Sequence, residues 1–253
     1  MAVLTMLGID ATNWVHQLWH AQRGLGVVAA VRSRVRALTE QLQPAAVVSC
    51  FDRRSFRHDL HAGYKSGRKE KPQDLVADLQ EAERQLAELG TVAAEEGAEA
   101  DDCLATLAAY GRRAGAKVVI ASPDKDLRQC LGGQVLLLRS FSMAGGKPTK
   151  ADWYTSFRLF DETGLEAAQW IDYQCLVGDR TDGIVGCPKW GEKTSAAVLG
   201  KMRTLEACFA NPWLVPCTDR QRGALIEWRK SYSITRQLVT LRTDVEAVSD
   251  ALR

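Results

Sequence analysis

Short apolar runs bounded by turn residues alternate, through the first part of the chain, with longer stretches whose apolar side chains recur at three- and four-residue spacing. The runs at residues 4–9, 45–51, 117–121 and 135–138 predict strands, because each is short and almost wholly apolar. The stretches at 11–20, 28–41, 73–89 and 101–113 predict helices, and the last two are rich in Ala, Leu and Glu, which lose little side-chain freedom in a helix. Alternation of this kind builds a mostly parallel, right-handed central sheet with flanking helices. From about residue 166 the strand signal fades, and 166–176, 193–202 and 219–241 read as helices. The expected organisation is an α/β domain over residues 1–165 and a smaller helical subdomain over residues 166–253.

The predicted strands run into acids. The first ends at Asp10, the second at Asp52 and the third at Asp124 and Asp126. In a parallel sheet these ends share the carboxyl edge, where open α/β folds place their ligands. The segment EADD adds Glu99, Asp101 and Asp102 at a helix start, with Glu99 and Asp102 on one face by their spacing. The loop LVGDRTDG adds Asp179 and Asp182. One acid after a strand is an ordinary turn residue or helix cap. Nine of them repel one another unless cations lie between, and hard oxygen ligands in this number suit Mg²⁺ or Mn²⁺. Two groups, Asp10 to Asp102 and Asp124 to Asp182, allow two ions about 4 Å apart, the arrangement that clamps the attacking and leaving oxygens of a phosphodiester.

Charge changes the picture further. The formal net charge of the 253 residues is only +2, yet with the nine acids set aside 22 of the 31 acidic residues face 33 basic ones, an excess of 11. A surface of that sign favours a polyanion. The densest basic run is YKSGRKEK at residues 64–71, and Pro72 after it marks a helix start. The seven cysteines are odd in number, never spaced C-x-x-C, and read as buried free thiols rather than a disulfide framework or zinc knuckle. His16 and His20 have the spacing of a zinc pair but no third ligand nearby, and read as helix packing. No window approaches the roughly 18 apolar residues of a spanning helix, and no basic residues precede the first apolar stretch, so a cytoplasmic protein with no membrane partner is expected.

Taken in order, GIDATNWVHQLWHA, FDRRSFRHDLHAGYKSGRKEKP, EADDCLATLA, ASPDKDLRQ, DYQCLVGDRTDGIVGCPKWGEKTSAAVL and QLVTLRTDVE resemble the flap endonuclease and 5′→3′ exonuclease family, which includes the 5′-nuclease domain of bacterial DNA polymerase I and standalone phage exonucleases. The likeness spans almost the whole chain. It implies a PIN-like sheet, a helical arch at about residues 60–97 and a C-terminal helix-hairpin-helix (H3TH) element at about residues 183–197. It implies that Asp10, Asp52, Glu99, Asp101 and Asp102 hold the metal that activates the attacking water, and that Asp124, Asp126, Asp179 and Asp182 surround a second metal. Tyr64, Lys65 and Arg68 match the YKxxR element at the base of the arch, whose lysine and arginine contact the scissile phosphate as negative charge develops there. In the hairpin, Gly186 and Gly191 let the backbone approach phosphates, Lys193 with the following helix N-terminus favours an anion, and Lys189 and Thr194 complete the DNA-binding positions. A K⁺ ion bridging this backbone to DNA is a further cofactor the resemblance implies.

The implied reaction is hydrolysis of DNA with a free 5′ end (flap, nick, gap or duplex end), or of RNA–DNA, by a monomer with two Mg²⁺ or Mn²⁺, leaving a 5′-phosphate and a 3′-hydroxyl. The chain departs from the family pattern at Gln17 (usually Arg), Pro123 (usually Gly), Gly183 (usually Asn), and Lys189 and Trp190 (usually Gly and Ile); none is a proposed metal ligand. Other readings stay open on the residues alone: a PIN-like ribonuclease, a catalytically silent DNA-junction-binding module, or an acidic structural metal protein. The hairpin and arch weigh against the first, and the intact acids against the second.

Overall fold

The computed structural model describes residues 3–22 and 24–252. Its elements run β1 (Thr5–Asp10), α1 (Ala11–Gln22), α2 (Val27–Leu42), β2 (Ala46–Cys50), α3 (Arg57–Leu60), α4 (Gln73–Leu86), β3 (Thr91–Ala93), α5 (Ala100–Arg113), β4 (Lys117–Ala121), β5 (Val135–Ala144) and β6 (Lys147–Tyr154). There follow α6 (Ser156–Thr163), α7 (Trp170–Val177), the two-residue strands β7 (Gly178–Asp179) and β8 (Ile184–Val185), then α8 (Glu192–Met202), α9 (Leu205–Ala210), α10 (Asp219–Trp228), α11 (Tyr232–Val239) and α12 (Glu246–Ala251).

These elements fall into two compact units, the first comprising the described residues up to Ser55, Lys69–Thr155 and those from Arg242 onward. Here β1 to β6 form one sheet in the order β3-β2-β1-β4-β5-β6, parallel except for the antiparallel edge strand β6. The two-residue period of the strands sets the layers. Leu7 and Ile9 of β1, Val47 of β2, and Val119 and Ala121 of β4 join one apolar cluster with Trp14 and Val15 of α1, Val31 and Val35 of α2, and Leu75, Ala82 and Leu86 of α4. Each such large side chain, fully buried, stabilises the fold by roughly 1.5–3 kcal/mol. Gly8 points to the other face, where a β-carbon would stand 2.7 Å from Leu104 and 2.8 Å from Leu107, so the missing side chain is what lets α5 lie close against β1. From β1 the chain builds outward to β2 and β3 on one side, then crosses to β4 and β5 on the other. The reversal falls between the carboxyl ends of β1 and β4, the position where open sheets bind ligands.

The strands and helices expected before residue 140 all form. Strand β6 escapes sequence reading because KPTKADWY is mostly exposed and pairs with β5 through shifted register, so neither an apolar run nor clean alternation marks it. Within the stretch at about residues 60–97, where an arch is expected, part of the chain is packed. Leu75, Ala82 and Leu86 of α4 are buried at 2%, 0% and 0% exposure, and β3 pairs with β2, so α4 and β3 belong to the packed layers. What stays fully in solvent is the run from Ser66 to Asp74.

The second unit comprises Phe56–Arg68 and Ser156–Leu241. Its core gathers Tyr64, Cys175, Leu176, Ile184, Trp190, Leu199, Phe209, Leu225 and Trp228, with further apolar residues of the same helices. The single helix expected at 219–241 is two, α10 and α11, separated by a 3-10 turn at Arg229–Ser231. The two compact units do not follow chain order strictly, because two segments exchange. The segment 56–68 is tied into the helical unit by Arg57, 2% exposed, whose guanidinium donates to the carbonyls of Leu238 (2.8 Å) and Thr240 (2.9 Å). Arg242 and the residues after it return to the sheet unit, where the Arg242 N–H donates to Asp102 and the Val245 N–H to Thr106. The cysteines are free, six of them buried and Cys217 half-buried. Among the described residues no helix is long and apolar enough to cross a membrane.

Candidate metal and nucleic-acid site

Five of the expected acids meet at the carboxyl edge of the sheet. Asp10, the last residue of β1, is 4% exposed; its Oδ1 accepts from the Asn13 N–H (3.0 Å) and its Oδ2 from the Ser122 hydroxyl (2.6 Å). Asp52 lies just past β2, with Oδ1 accepting from the Ala100 N–H at 2.9 Å and its own N–H donating to Thr12 Oγ1 at 2.9 Å. Asp124 accepts from the Asp126 N–H at 2.8 Å, and its own N–H donates to Ser122 Oγ at 3.1 Å. Asp101 opens α5 with a buried Oδ1 that has no hydrogen-bond partner among the described residues.

Negative charge accumulates here. Burial raises the pKa of Asp10 to about 7, with Asp52 and Asp124 adding to the effect against the hydrogen bonds from Ser122 and Asn13. Burial raises Asp101 well above the usual carboxylate range, reinforced by Asp124, Asp10, Asp126 and Asp52. The shared repulsion shows that these five carboxylates face one another electrostatically, and a cation among them would reverse both shifts. Among the described residues no three His, Cys, Asp or Glu side chains close around one point as a tight cage does. An all-oxygen set of carboxylates suits a hard divalent cation rather than the nitrogen and sulfur sites of structural zinc.

Asp102 and Glu99 stand differently. Asp102 is fully buried, and its two oxygens accept from the backbone N–H groups of Glu99 (3.0 Å) and Arg242 (2.9 Å). The structure thus employs Asp102 to cap α5 and to seat the returning chain, which positions Asp101 beside it. Glu99 is the N-cap residue of α5 and is 9% exposed.

In the helical unit Asp179 caps its own loop, accepting from the N–H groups of Thr181 (2.8 Å) and Asp182 (3.2 Å). Asp182 accepts from the Arg68 guanidinium at 2.6 Å, with Lys65 Nζ at 3.7 Å. Lys65 has a left-handed backbone, φ 53°, a conformation costly for a residue with a side chain, and its N–H donates to the Asp182 carbonyl at 3.0 Å. The two cations expected at a phosphate are therefore brought together on one acid. Tyr64, at 4% exposure, lies in the core of this unit, edge-on to His58 and with the Lys65 ammonium 4.9 Å from its ring centre.

The hairpin residues divide in the same way. A β-carbon at Gly186 would lie 2.5 Å from the Leu176 carbonyl and 2.5 Å from the Gly178 nitrogen, so this glycine allows a close backbone crossing within the protein. A β-carbon at Gly191, the N-cap position of α8, would meet nothing within 4 Å, and Lys193 nearby is exposed. Thr194 is half-buried, and Lys189 is exposed with a left-handed backbone of φ 71°. The first turn of α8 also carries Glu192, beside the two lysines.

Sequence reasoning missed Ser122, Thr12 and Arg57. Ser122 links Asp10 to Asp124, and Thr12 fixes the Asp52 backbone, yet a hydroxyl near a strand end is too common to signal this. Arg57 alone carried a signal, an arginine inside the FRHDL segment of the family pattern.

The comparisons with known proteins agree with this geometry. The family model for the 5′-3′ exonuclease N-terminal resolvase-like domain matches residues 5–163, and that for the 5′-3′ exonuclease C-terminal SAM fold matches residues 165–252. The thermostable DNA polymerase I of Thermus aquaticus is 34% identical over 256 residues, covering 95% of this chain and 29% of that protein. Flap endonuclease Xni of Edwardsiella ictaluri is 31% identical over 245 residues, covering 95% of this chain and 92% of that protein. The chain spans less than a third of the length of the DNA polymerase I relatives it matches. In fold it resembles T5 5′-exonuclease, solved with zinc bound, with a TM-score of 0.82 over 98% of both chains at 17% identity. The catalytic core of Rad2 in complex with DNA substrate is similar in fold, with a TM-score of 0.59 over 96% of this chain and 81% of that one at 16% identity. The acids at the sheet edge, the helical unit with its hairpin and these matches along the whole chain agree: the protein belongs to the 5′-3′ exonuclease family.

Proposed function

We propose that this chain is a divalent-metal-dependent 5′-nuclease that hydrolyses DNA phosphodiesters at or near a free 5′ end. The observation that carries this reading is the cluster of Asp10, Asp52, Asp101, Asp124 and Asp126, mutually repelling and with the Asp101 Oδ1 buried and unpartnered. In the proposal these carboxylates hold two Mg²⁺ or Mn²⁺ ions, and Glu99 and Asp102 fix the start of α5 that aims Asp101. Asp179 and Asp182 are assigned to the second ion on the family pattern alone. T5 5′-exonuclease, similar in fold, carries divalent metal ions, which supports a metal-dependent reading. Bound divalent ions supply an activated water and neutralise charge on the phosphate. The protein's own contributions are positioning and charge. Ser122 holds Asp10 and Asp124 at fixed spacing, and Lys65 and Arg68, held ready on Asp182, offer positive charge to the phosphate. The duplex is proposed to lie on Gly191, Lys193, Thr194 and Lys189, with a K⁺ ion between hairpin backbone and phosphate. No groove-reading helix is invoked, so recognition rests on DNA structure. The protein is proposed to act as a cytoplasmic monomer.

The test uses matched substrates labelled at either end: a DNA flap, an RNA flap on DNA, a nicked duplex and a covalently closed duplex, with Mg²⁺. Release of short 5′-labelled products from the flap and nick, and none from the closed duplex, is expected. Preferred cleavage of free RNA, or cleavage that needs no 5′ end, would contradict the reading. Replacing K⁺ by Li⁺ tests the hairpin ion, with weaker duplex binding expected.

A further inference from the structure

Seven tryptophans occur in the chain, and one of them is left in water. Trp213 is 78% exposed and Leu214 beside it 71%, whereas Trp14, Trp170, Trp190 and Trp228 are all 6% exposed or less. Trp213 is held in place nonetheless. It sits on a 3-10 turn, Pro212–Leu214, and the Arg222 guanidinium lies 5.4 Å from its ring centre. Arg222 is itself pinned by the carbonyls of Pro212, Val215 (3.2 Å) and Cys217 (3.3 Å). The adjacent Gln221 is bound to the hairpin, its carbonyl accepting from Trp190 Nε1 at 3.1 Å and its side chain donating to the Lys189 carbonyl at 3.2 Å. One helical turn at the start of α10 thus ties the tryptophan to the hairpin, and a cavity of about 670 Å³ is lined by Lys193, Thr194 and Ala197 of α8 and by Pro216, Thr218 and Gln221.

Resting on the duplex-binding reading of the hairpin, we propose that Trp213 is a stacking contact for an unpaired or terminal nucleobase of DNA whose duplex lies on Lys189, Lys193 and the N-terminus of α8. Charge selects this occupant. Lys189, Lys193, Arg220 and Arg222 outnumber Glu192 and Asp219 along the strip that joins the two, a balance that suits a polyanion. A flat aromatic beside a basic strip is the pairing that single strands use, bases on the ring and phosphates on the cations, and an arginine on the ring adds cation–π support.

The test measures binding in EDTA, by anisotropy, of a labelled duplex bearing an unpaired strand and of a dumbbell duplex closed at both ends by hairpins. A stacked base is worth about 1–3 kcal/mol, so Trp213→Ala should weaken binding of the first DNA roughly 5- to 150-fold, Trp213→Phe far less, and neither should change the dumbbell. Quenching of Trp213 fluorescence by the first DNA but not the second is expected in the unvaried protein. Equal affinity of Trp213→Ala and parent for the first DNA would overturn the proposal, as would equal losses on both DNAs. Failure of the parent to bind either DNA would overturn the duplex-binding reading instead.

Discussion

Asp10 is a carboxylate whose surroundings oppose its charge. Its pKa, about 7, lies above the unfolded value near 4, because burial and the neighbouring Asp52 and Asp124 oppose its charge. The folded protein therefore binds a proton that the unfolded chain releases between those values. Its stabilising effect is complete below about pH 4 and lost as pH rises through 7. Metal-free Asp10→Asn should consequently melt several degrees above the parent at pH 8, with the gap closing toward pH 4; thermal melts across that range check it, and a gap that widens in acid would contradict the charge argument. Ser122 supplies the second residue-scale case. Ser122→Ala frees Asp10 Oδ2 and the Asp124 N–H together, and Mn²⁺ affinity by calorimetry should fall about 10- to 100-fold, the usual effect of removing a group that orients a metal ligand. At this scale the acids were legible because their type and order carry the chemistry. The residues orienting them were not, since a serine after a strand or a threonine at a helix start has many ordinary uses.

At the scale of elements, two tight contacts set the helical unit. Arg57 holds segment 56–68 to the end of α11 through two carbonyls, a geometry that needs the planar fork of a guanidinium. Arg57→Leu should cost about 2–4 kcal/mol and lower the melting temperature by roughly 5–12 °C, and Arg57→Lys should recover little of it. Gly183 has φ 72°, and a β-carbon there would stand 2.3 Å from the Gly63 carbonyl oxygen. Gly183→Asn, the residue the family usually carries, should therefore destabilise this chain by more than 1 kcal/mol in a denaturant titration, and a neutral result would show that the 63–65 turn can yield. Strands and helices with strong periodicity were legible, α4 among them, whose buried side is the apolar stripe Leu75, Ala82 and Leu86. The exchange of 56–68 and of the residues after Arg242 depends on long-range hydrogen bonds, which leave no local trace.

Over the whole molecule, the small formal charge conceals the excess of 11 basic residues over the acids outside the proposed metal set. DNA binding should weaken steeply with salt, about 10³-fold between 50 and 200 mM if some six phosphates are met, and anisotropy titrations at several salt concentrations check this slope. The polyanion partner was legible from this arithmetic, whereas the direction of cleavage rests on family membership. The central claim is that the acids at the sheet edge hold the ions that cut DNA. The most direct test is single-turnover cleavage of a 5′-labelled flap duplex by the parent and by an Asp124→Asn, Asp126→Asn variant, each with Mg²⁺ and with EDTA. The account predicts cleavage only by the parent with Mg²⁺, while the variant still binds the flap; cleavage in EDTA, or by the variant at the parental rate, would contradict it.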